Sequence, residues 1–280
     1  MRPYLANDKM TNHIHKHIIT YHLLDAEPSV FGFSTTRHGG CSTGTYKSFN
    51  CTVHGGDSAD NVIRNRKVLS TLFPTQPLEF VIPHQVHLDQ ICVIDENYIK
   101  EVGSRDILST DTPPQLEGID AVITNIPRYC ICVSTADCVP ILLYDKVKKV
   151  IAAVHAGWRG TRIRIVETVI TRMKDLYGCS PTDMLACIGP SISLESFEVG
   201  DEVYDAFLEA GFDMNRIARR YEKWHIDLWE ANKLMMEHKG IPAEQIEIAG
   251  ICTYKEMNDF FSARRLGKRS GRILNGIMLL

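Results

Sequence analysis

The sequence lacks any apolar run that approaches the roughly 20 residues needed for a transmembrane helix. Residues 1–18, MRPYLANDKMTNHIHKHI, are polar and basic, and they lack the apolar core of a secretory signal. These absences predict a cytoplasmic protein with no membrane partner. We therefore expect its nine cysteines to stay reduced and to lie mostly in the core.

An excess of positive charge is also missing, because the formal net charge is -3 at pH 7. This balance argues against a nucleic-acid partner, which a basic surface would have to bind. A hydrophobic content of 44% with 23% charged residues is typical of a globular protein. The sequence also lacks repeats, low-complexity tracts and linkers. We expect a single domain over residues 1–280, present as a monomer or a small homo-oligomer.

Short apolar runs and amphipathic segments alternate along the chain, which predicts an α/β fold with a mixed β-sheet flanked by helices. At the N-terminus, residues 1–22 are predicted to form a polar leader and an edge strand over residues 14–22, although their histidines (13, 15, 17 and 22) also allow a metal-binding tract. Helices are predicted over residues 61–72, 161–177, 201–210 and 229–239. Further strands are predicted over residues 118–124, 130–133, 139–144, 150–154, 183–189, 224–228, 245–249 and 273–279.

The chain is organised around residues 134–161, STADCVPILLYDKVKKVIAAVHAGWRGT. Its two nearly unbroken apolar runs are typical of strands buried on both faces. Cys138 precedes the first run and His155 closes the second. If the runs pair as an antiparallel hairpin, the two side chains share one edge of a sheet. Gly157 follows at once and would let the backbone approach a ligand closely.

A thiol and an imidazole at one sheet edge allow two chemistries. His155 can act as the base for a nucleophilic Cys138 thiolate. Alternatively, both residues bind zinc together with a third ligand and leave one coordination position open. His84 and His87 lie three residues apart where Pro83 interrupts two strand-like runs, and His87 is the candidate third ligand. The spacing also fits ordinary core residues, so these alternatives stay open.

Several segments, spread over nearly the whole chain, resemble one known family. They include TRHGGCSTGTYKSFN (36–50), HQVHLDQI (84–91), GIDAVIT (118–124), STADCVPILLYD (134–145), AAVHAGWRGT (152–161) and FFSARRLGKRSGR (260–272). The chain resembles the proteins once called multicopper polyphenol oxidases, or laccase-domain proteins. Members of this YfiH-like family are now described as zinc-dependent purine nucleoside phosphorylases. The pair ADC-x-P and HAGWRG is the most specific part of the match.

The resemblance implies metal ligands at His87, Cys138 and His155, which would also be the catalytic residues. It implies Zn2+ as the cofactor, with copper less favoured, and an α/β fold shared with toxin-type cysteine-histidine hydrolases. It also implies phosphorolysis of adenosine, inosine, guanosine and methylthioadenosine. Phosphate would be the second substrate, and deamination of adenosine would be a side activity.

The family motifs also suggest binding residues. Three arginines in motif loops are candidates for binding phosphate, namely Arg37, Arg264 and Arg159. The alternative is that they are ordinary surface residues. His84 becomes a candidate pocket residue. Asp137, next to Cys138, is either a carboxylate that orients a ligand histidine or a turn residue. One departure is Ala263 in FFSARR, where many relatives have tyrosine, so ring stacking at that position is in doubt.

Three other functions remain open. The first is a Cys138–His155 amidase acting on a peptidoglycan precursor, a role also ascribed to relatives. The second is copper-dependent oxidation of polyphenols, for which three ligands with one cysteine are too few to build a multicopper cluster. The third is an interaction module that keeps zinc for stability.

Overall fold

The computed structural model describes residues 16–280. Within them the helices are α1 (His22–Asp25), α2 (Ala59–Ser70), α3 (Glu96–Val102), α4 (Trp158–Arg162), α5 (Ile165–Tyr177), α6 (Asp201–Glu209), α7 (Met214–Ile217), α8 (Leu228–His238) and α9 (Ala263–Leu266). The strands are β1 (Ile18–Thr20), β2 (Val30–Thr35), β3 (Glu79–Val81), β4 (Ile91–Ile94), β5 (Ala121–Thr124), β6 (Tyr129–Thr135), β7 (Val139–Asp145), β8 (Val150–Ala156), β9 (Met184–Ile188), β10 (Glu198–Val199), β11 (Ala218–Arg220), β12 (Trp224–Ile226), β13 (Ile246–Ile248) and β14 (Ile273–Leu279).

The strands form three sheets rather than the one mixed sheet that we predicted. A five-stranded sheet has the order β1-β2-β14-β6-β3, and a six-stranded sheet has the order β13-β9-β7-β8-β5-β4. Each combines parallel and antiparallel pairs. A small antiparallel sheet, β10-β12-β11, completes the set. The mixed α/β class is confirmed. The division of the strands among three sheets could not be predicted, because sequence periodicity does not show which strands pair.

The two large sheets pack face to face between layers of helix. Alternate side chains of β7 and β8 enter the core between the sheets, together with side chains of β6 and β14: Leu142, Tyr144, Ile151, Ala153, Ile131, Val133, Ile277 and Leu279. The intervening side chains, such as Ile141 and Val154, pack with α5 and α8 on the other face. Leu69 of α2 joins a third cluster on the outer face of the five-stranded sheet. Both faces of the hairpin strands are therefore buried, which explains their unbroken apolar runs.

Most predicted elements are observed with shifted ends, and two of them need a larger correction. The predicted helix over residues 161–177 is two helices, α4 and α5, because Arg164 adopts a left-handed conformation with φ of 61°. Of the predicted strand over residues 14–22, only Ile18–Thr20 is a strand, β1, at an edge of the five-stranded sheet, and α1 begins at His22. Its first two residues, with His13 and His15, lie outside the described residues. Among residues 16–280, no helix is both long enough and apolar enough to cross a bilayer.

The predicted hairpin is confirmed, and its register positions the site. β7 and β8 pair antiparallel with Pro140 opposite His155 and Val139 opposite Ala156. Cys138, one residue before β7, therefore lies at the same sheet edge as His155. On the other side, β5 pairs with β8, with Ala121 opposite Val154. The residue before β5, Asp120, is brought next to His155 by this pairing.

Candidate metal centre

Three side chains from distant parts of the sequence meet at this sheet edge. The ligand atoms of His87, Cys138 and His155 all lie within 4.8 Å of one another. The two imidazole rings are nearly perpendicular, at 79°, with centroids 4.8 Å apart. His155 is buried, Cys138 is partly buried and His87 is exposed. The cluster is thus open to ligands on the side of His87.

Asp120 holds both histidines of this cluster, and the sequence analysis did not identify it. Its Oδ1 lies 2.7 Å from Nδ1 of His155 and accepts a hydrogen bond of 3.0 Å from the backbone N–H of His87. Its Oδ2 accepts bonds from the backbone N–H groups of Val86 and Leu88. The carboxylate therefore supports a turn in which His87 has φ of 65°. The one feature in the sequence that could have pointed to Asp120 is its position directly before the apolar run of β5.

The charges of the cluster depend on each other. Burial favours a neutral Cys138 thiol, but the charge of His155 and hydrogen bonds from His155 and His87 lower the pKa of Cys138 to about 6. Burial favours a neutral His155, but the charge of Cys138 and the hydrogen bonds with Asp120 and Cys138 raise the pKa of His155 to about 9. Both shifts favour a thiolate–imidazolium pair when no metal is bound.

The donor set suits a zinc ion. Zinc accepts thiolate and imidazole ligands at about 2.0–2.3 Å, so two ligand atoms on one tetrahedral ion lie about 3.3–3.8 Å apart. The three ligand atoms here lie within 4.8 Å of one another, so zinc binding needs a closing movement on the order of 1 Å. Because Nδ1 of His155 bonds to Asp120, its Nε2 is the atom available to a metal. Three protein ligands leave one position of a tetrahedral ion open.

Gly157 packs directly against the cluster. A Cβ at this position would lie 3.1 Å from Sγ of Cys138 and 3.1 Å from Cδ2 of His87. Such contacts are tighter than normal van der Waals packing, so the site has space for glycine here and little space for a side chain. The backbone at this residue therefore lies close to the side chains of Cys138 and His87, and its approach to a ligand stays a prediction.

The structure separates the two histidines of the HQVH motif. His87 belongs to the cluster with Cys138 and His155, whereas Nδ1 of His84 lies 2.7 Å from Oε2 of Glu117. The ring of His84 also stacks on the ring of His54, with centroids 4.9 Å apart and 19° between the planes. The side chain of His84 is 47% exposed. It is thus accessible, as a pocket residue must be.

Two of the predicted phosphate-binding arginines donate to backbone carbonyls. Arg37 donates to the carbonyls of Lys47 and Met257, at 2.9 and 2.6 Å. Arg264 donates to the carbonyl of Glu198 at 2.7 Å. The guanidinium of Arg159 lies over the ring of Trp158, 4.2 Å from its centroid. Phosphate binding by these residues stays a prediction.

The carboxylate of Asp137 does not contact a ligand histidine through the hydrogen bonds that it makes, so it does not have the orienting role that we considered. It accepts hydrogen bonds from the Thr253 hydroxyl at 2.7 Å and from the backbone N–H of Arg264 at 2.8 Å. The carboxylate that orients His155 is therefore Asp120, because β5 and not the residue before Cys138 runs beside His155. Asp137 itself has φ of 90°, which agrees with the alternative role in a turn.

Arg272 is a second residue that the sequence analysis did not single out. Burial lowers the pKa of its guanidinium, while the negative charges of Cys138 and Asp137 oppose this shift. Its Nη1 and Nη2 donate to the carbonyls of Ser270 and Lys268. A fixed positive charge therefore lies near the candidate metal centre, in the FFSARRLGKRSGR segment.

The chain is similar to proteins of known name over almost its full length. A purine nucleoside phosphorylase of Bacteroides thetaiotaomicron is 50% identical over 267 residues, which cover 94% of this chain and 97% of the relative. Adenosine deaminase RL5, from an unknown prokaryotic organism, is 39% identical over 91% of this chain and 97% of the relative. The crystal structure of the hypothetical protein YfiH of Bacillus licheniformis matches with a TM-score of 0.85 and 29% identity, covering 95% of this chain and 97% of that one.

Fold and site together define a layered α/β protein with a histidine–cysteine–histidine cluster at a sheet edge. The family described as multi-copper polyphenol oxidoreductase laccase matches residues 31–280. The chain belongs to this family, as the resemblance in its motifs predicted.

Proposed function

We propose that this chain is a zinc-dependent purine nucleoside phosphorylase with an additional adenosine deaminase activity. The observation that supports the proposal most strongly is the cluster of His87, Cys138 and His155, whose ligand atoms lie within 4.8 Å of one another. The names of the relatives support the same reaction class. A copper-dependent oxidase would need more ligands than this cluster offers.

The residues of the cluster have distinct roles in this proposal. Bound by these three side chains, a zinc ion would supply a Lewis acid with one position open to phosphate or water. Asp120 keeps the hydrogen of His155 on Nδ1 and directs Nε2 to the ligand position. The exposed His87 lies on the open side, where a substrate would enter.

The substrates are adenosine, inosine, guanosine and methylthioadenosine, each cleaved by phosphate to the free base and the (methylthio)ribose 1-phosphate. Arg37, Arg159 and Arg264 remain our candidates for holding phosphate. Arg272 joins them because its charge acts on Cys138. A positive charge beside the centre attracts the phosphate dianion and offsets the repulsion between phosphate and the Cys138 thiolate. We place this reaction in the cytoplasm, in a protein that forms a monomer or a small homo-oligomer.

The decisive experiment is an anaerobic assay of the purified protein, with its metal content measured on the same preparation. We expect bound zinc and release of hypoxanthine from inosine only when phosphate is present. Cys138→Ala and His155→Ala should abolish both zinc binding and turnover. Full zinc occupancy without release of a purine from any of the four nucleosides would refute the proposal.

A second function has one observation in its favour, namely the Cys138 thiol whose pKa is lowered to about 6 beside His155. A cysteine thiolate beside a histidine is the nucleophile and base pair that a cysteine-dependent amidase uses. Hydrolysis of a peptidoglycan precursor that persists after chelation, and stops on alkylation of Cys138, would identify this activity. Activity that disappears on chelation would assign the cluster to metal binding.

A further inference from the structure

A second pair of titratable side chains lies beside the candidate metal centre. Nδ1 of His84 and Oε2 of Glu117 are 2.7 Å apart, and both side chains are about half exposed. The backbone fixes the pair from both sides, because the N–H of His84 donates to the carbonyl of Leu116 and the N–H of Gly118 donates to the carbonyl of His84, each at 2.9 Å. The pair is therefore held in place by the chain and is accessible to a ligand.

The same two chain segments carry His87 and Asp120 of the candidate metal centre. Residues 84–88 and 117–120 run side by side, with the His84–Glu117 pair at one end and the bonds from His87 and Leu88 to Asp120 at the other. Three residues of extended chain span at most about 10 Å. The backbones of His84 and His87 are therefore separated by no more than about 10 Å, which is within the length of one nucleoside. Between them, Gln85 is anchored to Ser134 by hydrogen bonds of 2.7 and 3.0 Å.

The hydrogen bond to Glu117 determines which nitrogen of His84 is available. Because Nδ1 faces the carboxylate, Nε2 is the atom that can act on a substrate. Beneath it, the His54 ring is kept neutral at pH 7, since burial, and to a lesser extent the charges of His84 and Arg66, lowers the pKa of His54 to about 4. The His54 ring therefore stacks on the His84 ring without placing a positive charge beside it.

Phosphorolysis of a purine nucleoside is accelerated by a proton donor close to the departing purine. When a phosphate oxygen bonds to C1′, the bond from C1′ to N9 breaks and its electron pair passes to the purine. The purine is a poor leaving group as an anion, and protonation at N7 lets it leave neutral. Neither Cys138 nor His155 can supply this proton once both bind a metal, because ligands must be deprotonated at the binding atom.

We propose that His84 is the general acid that protonates the departing purine and that Glu117 is the residue that positions it. This inference rests on the proposed phosphorylase function. In the step, the proton on Nε2 of the imidazolium moves to N7 of the purine as the bond from C1′ to N9 breaks. The phosphate loses its own proton to solvent as it becomes the sugar ester, and His84 regains a proton from solvent.

The test compares two nucleosides on the zinc-loaded enzyme. Inosine needs a proton at N7, whereas 7-methylinosine carries a methyl group there and its base leaves without one. We expect His84→Gln to lower kcat for inosine by roughly 10²–10⁴-fold, the usual contribution of a general acid. The same variant should change kcat for 7-methylinosine by less than about threefold. Glu117→Gln should show the same selective loss, at a smaller size.

His238→Gln is the matched control, because His238 is also exposed and also contacts a glutamate, with 3.4 Å between its Nδ1 and Oε1 of Glu167. It should alter neither rate. Equal losses on both nucleosides with His84→Gln, or no loss on either, would overturn the role of His84 while leaving the phosphorylase function intact. If the unaltered zinc-loaded enzyme cleaves neither nucleoside, the proposed function itself fails.

Discussion

Nδ1 of His155 lies 2.7 Å from Oδ1 of Asp120, and the two side chains are almost completely buried. The same carboxylate accepts hydrogen bonds from the backbone N–H groups of residues 86–88. Burial would raise the pKa of Asp120, but the hydrogen bond and charge of His155, together with these backbone bonds, lower it. One ionised side chain therefore fixes the ring of one candidate ligand and the backbone of another.

This relationship predicts a loss of metal affinity when the charge of Asp120 is removed. In Asp120→Asn the amide can no longer accept from both His155 and the 86–88 turn as a carboxylate does. Partners of this kind typically contribute 10–100-fold to metal affinity. We expect zinc binding to weaken by roughly that factor, measured by competition with a chelating indicator.

Asp137→Asn provides the comparison for this prediction. Asp137 also bonds through both carboxylate oxygens, but its partners are Thr253 and Arg264. We expect its variant to change zinc affinity by less than about threefold. A larger loss from Asp137→Asn than from Asp120→Asn would show that the wrong carboxylate has been assigned to the centre.

The space at Gly157 leads to a second prediction. The added methyl of Gly157→Ala would lie 3.1 Å from both Sγ of Cys138 and Cδ2 of His87. Because these atoms would have to move apart, zinc affinity should fall about tenfold, as for other disturbed ligand geometries. Isothermal titration with zinc measures this loss.

Gly160→Ala is the control, three residues along the same segment. Its Cβ would lie 3.4 Å or more from every neighbour, which is ordinary contact. Its zinc affinity should stay close to that of the unaltered protein. Both variants should keep the far-ultraviolet circular dichroism of the fold, and equal zinc affinities for the two would show that the space at Gly157 is unimportant.

Much of this site could be predicted because its central hairpin leaves a strong local signal. The apolar runs of β7 and β8 are buried on both faces, and only two short segments had to pair to bring Cys138 and His155 together. His87 is different, since it lies 51 residues before Cys138. Spacing made it a weak candidate, and the family resemblance was needed to select it.

The remaining features depend on tertiary contacts that local sequence does not encode. Asp120 reaches His155 across the pairing of β5 with β8. The break between α4 and α5 occurs at Arg164, whose guanidinium packs over Phe212 and pairs with Glu167. An apolar period continues through such a break, so the pattern alone predicted one helix. The division of the strands into separate sheets is likewise a property of the whole chain.

The charge state of Cys138 gives a third prediction, for the metal-free protein. Its pKa of about 6 means that the thiolate is the main form above that pH and is lost as the pH falls through it. Since only the thiolate reacts with iodoacetamide, alkylation of Cys138 should be half-maximal near pH 6 and constant above about pH 7. Mass spectrometry of the peptide that contains Cys138 separates its rate from those of the other cysteines.

Two comparisons test the cause of this reactivity. In the unfolded protein the influence of His155 is lost, so half-maximal alkylation should move to about pH 8.5, the value of an ordinary cysteine. Zinc should protect Cys138 at every pH at which it binds, because the metal occupies the sulfur. A rate in the folded metal-free protein that still rises steeply between pH 7 and pH 8.5 would contradict the thiolate–imidazolium pair, because it would mean that burial outweighs the charge of His155.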